Sequence, residues 1–187
     1  MKSGVGPIAD APAVIVEALR LLETGRWDRA LLIYRALVGQ KIADPEALHR
    51  LGYLATQFGE FERAEACLRA ALAAVPDHPW YSNSLGIALR HRRNFAAAIE
   101  ILRRAIDRVP DQHQLWSNLG NALRDDGRFN EASLAYRQAL RLAPDIGYYW
   151  SAFGACLRHA PSELPLDLAY SDDLLRAITH PEVSPGD

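Results

Sequence analysis

The sequence predicts an all-α fold, a solenoid of stacked antiparallel helix pairs. Three observations lead to this prediction. A 34-residue pattern of small and aromatic residues recurs without a gap between residues 11 and 160. Within each copy, apolar residues are spaced by three and four positions, which is typical of one face of a helix. Glycine and proline residues divide each copy into two such stretches and close it.

The clearest copy of the pattern runs from Trp116 to Pro144. Gly127 is predicted to end its first helix, because glycine adopts the left-handed conformation found after helix ends. Asn130 is predicted to cap the second helix through its side-chain oxygen. Pro144 cannot continue a helix, so the second helix should end before it.

The pattern returns at two earlier positions, weakens before them and stops after residue 160. The earlier copies hold Leu85, Gly86, Phe95, Ala98, Ala105 and Pro110, and Leu51, Gly52, Gly59, Phe61, Ala64, Ala71 and Pro76. The weakened first copy keeps Gly25, Trp27, Ala30 and Tyr34, and the last keeps Trp150, Gly154 and Leu157. Trp27 occupies the phenylalanine position, which predicts a core residue. Asp44 and Pro45 predict an N-cap and a first helical residue for the second pair.

This pattern resembles the tetratricopeptide repeat family, whose period is 34 residues. The resemblance covers residues 11–160, as four repeats and a half repeat. It implies a right-handed solenoid in which the first helix of each pair lines a concave groove.

The two ends of the chain lie outside the repeats. Residues 1–10 are predicted to form a flexible N-terminal lead segment. Residues 161–187 predict an acidic C-terminal segment, with a short capping helix over 171–179 that an N-cap serine and acidic first-turn residues begin. A Pro- and Gly-containing tail follows.

Composition narrows the class of protein. The 187 residues are 49% hydrophobic and 24% charged with a formal net charge of −2, as expected for a globular protein with no general attraction to nucleic acid or membranes. Glu17 and Arg20 interrupt the N-terminal apolar run, so it does not predict a secretory or membrane segment. Cys67 and Cys156 fall on different repeats and predict free thiols. We expect a cytoplasmic protein.

No arrangement of residues predicts catalysis within this chain. The six histidines form no ligand pair at metal-binding spacing, the repeat explains each glycine, and no serine lies in a nucleophile-elbow motif. The sequence therefore predicts a protein that is not an enzyme and that needs no cofactor or metal.

The resemblance also implies which residues bind a ligand, because in this family defined positions of the first helices face the groove. These positions hold Arg90, Arg124, Arg158, Asn118, Asn121, Asn83, His49, Arg50, Tyr53, His91, Trp80 and Ser117. The three arginines recur at one position. Asn118 and Asn121 are similar to asparagines that grip peptide backbones in some family members.

These residue types suit an extended peptide, and the arginines suit an acidic one. Amides pair with a peptide backbone as donor and acceptor, and guanidinium groups bind carboxylates through two hydrogen bonds. The alternative is a chance arrangement, since this position faces solvent and only Lys2 and Lys41 among the basic residues are not arginine.

Three functions follow from these observations. The first is an adaptor or scaffold that holds a protein or peptide segment in the groove. The second is substrate recruitment for a glycosyl-, methyl- or sulfotransferase domain outside this chain, since the C-terminal segment is similar to the region joining such repeats to a transferase in larger bacterial proteins. The third is self-assembly through the ends, because Ile15, Val16, Leu19 and Leu22 make the first helix richer in apolar residues than one buried face needs.

Overall fold

The computed structural model describes residues 10–38 and 40–159, and all regular structure in this part of the chain is helical. The helices are α1 (Ala11–Glu23), α2 (Trp27–Leu37), α3 (Pro45–Gln57), α4 (Phe61–Ala74), α5 (Pro79–His91), α6 (Phe95–Arg108), α7 (His113–Asp125), α8 (Phe129–Leu142) and α9 (Gly147–His159). Helices α1 and α2, α3 and α4, and α7 and α8 pack as predicted pairs, and α9 is the first helix of the half repeat. The all-α prediction is confirmed.

The chain divides into two compact units, residues 1–92 with α1 to α5 and residues 93–187 with α6 to α9. In the first unit, α3 packs against α1, α2, α4 and α5. In the second unit, α7 packs against α6 and α8, and α8 packs against α9. The predicted lead before residue 10, the capping helix over 171–179 and the tail lie outside the described residues and stay predictions.

Local signals in the sequence place the helix ends. The Asp44 Oδ2 atom accepts a hydrogen bond from the Ala47 amide at 2.7 Å, and Pro45 is the first residue of α3, as predicted. Gly127 follows α7 with a φ of 80°, in the left-handed region that favours glycine. Arg93 holds the corresponding place after α5 with a φ of 61°.

The prediction that Asn130 caps α8 is wrong. Helix α8 begins at Phe129, and Arg128 is the residue in the capping position. The Arg128 amide donates to the Leu123 carbonyl oxygen at 2.9 Å, so the chain turns into α8 before Asn130 is reached. Asn130 therefore lies inside the helix, where its Oδ1 atom is buried and no described residue forms a hydrogen bond with it.

Glycine allows the two helices of a pair to approach closely. A Cβ atom added to Gly52 on α3 would lie 2.7 Å from Leu68 Cγ on α4. A Cβ atom added to Gly120 on α7 would lie 2.9 Å from the Tyr136 ring on α8. Both distances are below van der Waals contact, so these pairs pack at a spacing that a larger residue would widen.

The prediction that Trp27 lies in the core is also wrong, since the residue is 49% exposed. Its indole meets the Phe58 ring edge-on, with 6.4 Å between the ring centroids, and lines a surface pocket.

Trp116, in the fourth repeat, is held by a hydrogen bond instead. Trp116 Nε1 donates to the Pro110 carbonyl oxygen at 2.7 Å and so holds the chain that enters α7.

Candidate functional site

His49 is held between α3 and α5 instead of being presented to solvent. Its Nε2 atom lies 3.0 Å from Ser84 Oγ, and its ring stacks on Tyr81 with 4.7 Å between centroids. The Nδ1 atom is buried without a hydrogen-bond partner in the described part of the chain, 3.9 Å from Glu46 Oε2. His49 therefore links two successive repeats.

Burial lowers the pKa of His49 below its ordinary value of 6.5. The Glu46 carboxylate opposes this shift, whereas His78 and Arg50 add to it. The imidazole is therefore neutral at pH 7, and it contributes no positive charge to a ligand site.

Two other predicted residues, Arg50 and Tyr53, share a pocket with His49. The Arg50 Nε atom donates to Glu46 Oε1 at 2.8 Å, so part of its charge is compensated. Tyr53 is 45% exposed. The pocket has a volume of about 470 Å³ and we call it the α1–α3 pocket. It is lined by Leu19, Leu22, Glu23, Trp27, Glu46, His49, Arg50, Tyr53 and Gln57.

On α5, the predicted residues differ in how they are held. Trp80 is exposed and Asn83 is half-buried. Arg90 is half-buried, and its Nη2 atom lies 3.2 Å from His91 Nε2. His91 stacks on Phe61 of the preceding repeat, with 4.6 Å between centroids and 4° between the ring planes. This stack occupies one face of the His91 ring.

In the second unit, Asn121 is 8% exposed and already engaged. Its Oδ1 atom accepts hydrogen bonds from the hydroxyls of Tyr136 at 2.7 Å and Tyr148 at 2.5 Å. Ser117 is buried too, and its hydrogen bond to Tyr149 works against the burial that raises the pKa of that tyrosine. Asn118 is half-buried. These contacts are internal to the solenoid.

Arg124 and Arg158 are the predicted residues that bring positive charge to the surface of this unit. Arg158 is exposed. The Arg124 side chain is 30% exposed and lies 3.4 Å from Asp125 Oδ1. Burial alone would lower the pKa of Arg124, but Tyr136, Tyr148 and Asp125 raise it above its ordinary value. Its guanidinium is charged at neutral pH.

Glu46 was not predicted as a site residue, although it contacts His49, Arg50 and Tyr81. The 34-residue repeat could have indicated it, since Glu46 lies 34 residues before Trp80. A pocket of about 560 Å³ among α6, α7 and α8, lined in part by Trp116, Leu119 and Leu134, was not predicted either. An ion pair between Arg103 and Glu131 at 2.8 Å borders that pocket.

Within residues 10–38 and 40–159, no group of three or more histidine, cysteine or acidic residues is placed to hold a metal ion. No helix in the same part of the chain is both long and apolar enough to cross a membrane.

Ile15, one of the residues that suggested self-assembly, is fully buried, whereas Val16 is exposed.

Comparison with known families and structures identifies the repeat. Residues 15–79 and 49–113 match one family model and residues 113–146 match a second, both described as tetratricopeptide repeat. A comparison with curated proteins found no match.

Solved structures of similar fold include several forms of MamA. A MamA RS-1 ArsTM double mutant is 19% identical with a TM-score of 0.70, over 92% of this chain and 95% of that chain. MamA 41-end from Desulfovibrio magneticus RS-1 is 21% identical with a TM-score of 0.66, over 92% of each chain. At this level of identity the likeness concerns the fold, and it agrees with the predicted α-solenoid.

Replacing Asn121 by alanine should destabilise the protein by about 2 kcal/mol, because the buried Tyr136 hydroxyl loses its acceptor. Urea unfolding measures this loss. Tyr136→Phe removes the same hydrogen bond from the other side, so Asn121→Ala should cost about 1 kcal/mol less in that background. Equal losses in both backgrounds would show that the hydrogen bond contributes nothing.

His49 should make stability depend on pH. Its pKa is lowered in the folded state, so between that value and 6.5 the unfolded chain binds more protons and stability falls as pH decreases. We expect the unfolding free energy to decrease more between pH 7 and pH 5 in the native protein than in His49→Gln. Parallel pH profiles of the two proteins would contradict this expectation.

Proposed function

Because the chain belongs to the tetratricopeptide repeat family, we propose that it is a protein-binding scaffold whose first-helix faces hold an extended, acidic segment of a partner. The observation that supports this proposal most directly is that Arg124 is both charged and partly buried. Its guanidinium is charged and two-thirds buried, and its Nη2 atom lies 3.4 Å from Asp125 Oδ1.

A ligand carboxylate would interact with Arg124 more strongly than Asp125 does. A guanidinium binds a carboxylate best through two short, parallel hydrogen bonds, at about 2.7–2.9 Å. Partial burial strengthens such a bond, because less water competes for the charge. The Tyr148 hydroxyl lies beside Arg124, to which it is hydrogen-bonded, and it donates to Asn121 Oδ1.

Arg158 supports the same ligand chemistry one repeat later. It is exposed and lies in the last turn of α9, as Arg124 lies in the last turn of α7. Arg90 holds the equivalent place on α5 of the first unit. The backbone of an extended segment offers both donors and acceptors, which the half-buried side chains of Asn83 and Asn118 suit chemically.

The magnitude is that of a reversible complex. An exposed arginine–carboxylate pair contributes about 0.2–1 kcal/mol, and a charge-assisted hydrogen bond in a partly buried site about 1.5–3 kcal/mol. Contacts of this size, less the cost of association, correspond to weak and reversible binding. The transferase-recruiting role stays a prediction, since the C-terminal segment that motivated it lies outside the described residues.

Removing the positive charges of the first helices should weaken binding of an acidic segment. The probe is a fluorescein-labelled, twelve-residue peptide with four glutamates, and fluorescence anisotropy measures its affinity. We expect Arg124→Ala/Arg158→Ala to weaken binding at least tenfold, because one partly buried and one exposed carboxylate contact are lost.

The matched control is Arg108→Ala/Arg141→Ala, which removes two exposed arginines from the last turns of second helices in the same unit. Its net charge equals that of the first variant, so a general electrostatic attraction would weaken both equally. Equal affinities of the two variants would contradict the assignment to the first helices.

A further inference from the structure

The α1–α3 pocket has a ligand chemistry different from that of Arg124 and Arg158. We propose that it holds a large apolar side chain together with a neighbouring lysine or arginine, from a basic segment of a partner protein. This inference rests on the proposed binding role and adds a second type of recognised segment, located within residues 1–92.

The apolar part of the pocket consists of large side chains left open to solvent. Trp27 is 49% and Tyr53 is 45% exposed, and Leu19 and Leu22 beside them are half-buried. A volume of about 470 Å³ accommodates one leucine, phenylalanine or tryptophan side chain. An apolar occupant would remove these four side chains from water, which is the main driving force of association.

The charges at the rim are partly compensated within the protein. Glu46 receives hydrogen bonds from Arg50 Nε at 2.8 Å and from the Tyr81 hydroxyl at 3.0 Å. His49 is held by Ser84 and the Tyr81 ring, and it carries no charge at pH 7. The pair formed by Glu46 and Arg50 therefore contributes little net charge to the pocket.

Glu23 supplies the uncompensated negative charge. It is exposed, and no hydrogen bond or ion pair reaches it from another described residue. Arg20, on the same helix, is instead paired with Glu17 through hydrogen bonds of 2.8 Å. Glu23 is also the last residue of α1, where the carbonyl groups at the helix end favour a cation.

Trp27 can contribute to binding the same cation. Glu23 and Trp27 both line the pocket, and the indole is the aromatic ring that attracts a cation most strongly. A guanidinium or ammonium group placed between them would meet a carboxylate and an aromatic face. An acidic group there would be repelled by Glu23.

Charge argues against the C-terminal segment of this chain as the occupant. Residues 160–187 contain six acidic residues and one arginine. A segment of that composition would meet Glu23 with like charge. A basic segment of a different protein fits the pocket better.

The experiment compares three fluorescein-labelled, twelve-residue peptides by fluorescence anisotropy with the full chain. The first has a central phenylalanine flanked by arginines, the second has glutamates in place of the arginines, and the third has serine in place of the phenylalanine. In the Arg124→Ala/Arg158→Ala background, which removes the contacts proposed for an acidic segment, we expect only the first to bind well. Its binding should weaken as salt is raised because exposed charges are screened.

Variants assign the binding to the pocket. Glu23→Gln should weaken the first peptide about threefold and Glu23→Lys about tenfold, since the second reverses the charge. Tyr53→Ala should weaken the first peptide and leave the third unchanged. The matched control, Glu100→Lys, changes an equally exposed acidic residue on α6 and should have no effect. Circular dichroism verifies that each variant is folded.

Two outcomes overturn the inference. One is equal binding of the first and second peptides by Arg124→Ala/Arg158→Ala, or equal binding of the first peptide by the native protein and Glu23→Lys. The other is a dimer, seen by sedimentation, that Glu23→Lys dissociates while the first peptide does not bind, because the occupant is then a second copy of the chain. Neither outcome affects the proposed function, which depends on the acidic probe and on Arg124 and Arg158.

Discussion

Close contact between the two helices of a pair, at a glycine, is the constraint on which the rest of the structure depends. In the fourth repeat, the fully buried Tyr136 ring of α8 occupies the space that a side chain at Gly120 of α7 would need. At this spacing the Tyr136 hydroxyl reaches Asn121 on α7, and Asn121 also accepts from Tyr148 of the next repeat. A contact within one pair thus orders the side chains around Arg124.

The second and fourth repeats share this packing, at Gly52 and Gly120, whereas the first helices differ in the side chains that they expose. The α1–α3 pocket combines apolar side chains with the uncompensated carboxylate of Glu23. Helices α7 and α9 present Arg124 and Arg158 at one repeated position. Because the core positions fix the helices, the positions between them are free to carry different ligand chemistry.

Sequence alone was sufficient for the fold, because the signals for helix ends are local. Asp44 and Gly127 act on residues within one turn of themselves, and the structure places both as predicted. The candidate site was harder to predict, since its side chains meet partners from the next repeat. His49 contacts Ser84, which lies 35 residues later, and spacing within one helix does not reveal whether a polar side chain faces water or a neighbour. The exposure of Trp27 was predicted wrongly for the same reason, because it depends on which side chains at the C-terminal end of α3 pack against the indole.

The most direct measurement of the central constraint is the unfolding free energy of Gly120→Ala in urea, with Gln114→Ala at an exposed position of α7 as control. Helix propensity alone favours alanine over glycine by about 1 kcal/mol. Contact of the new methyl group with the buried Tyr136 ring opposes this by about 1–3 kcal/mol. We predict that Gly120→Ala lowers the unfolding free energy by about 1 kcal/mol and that the control changes it by less than about 0.5 kcal/mol. A more stable Gly120→Ala protein would contradict the account, since helix propensity would then outweigh the contact.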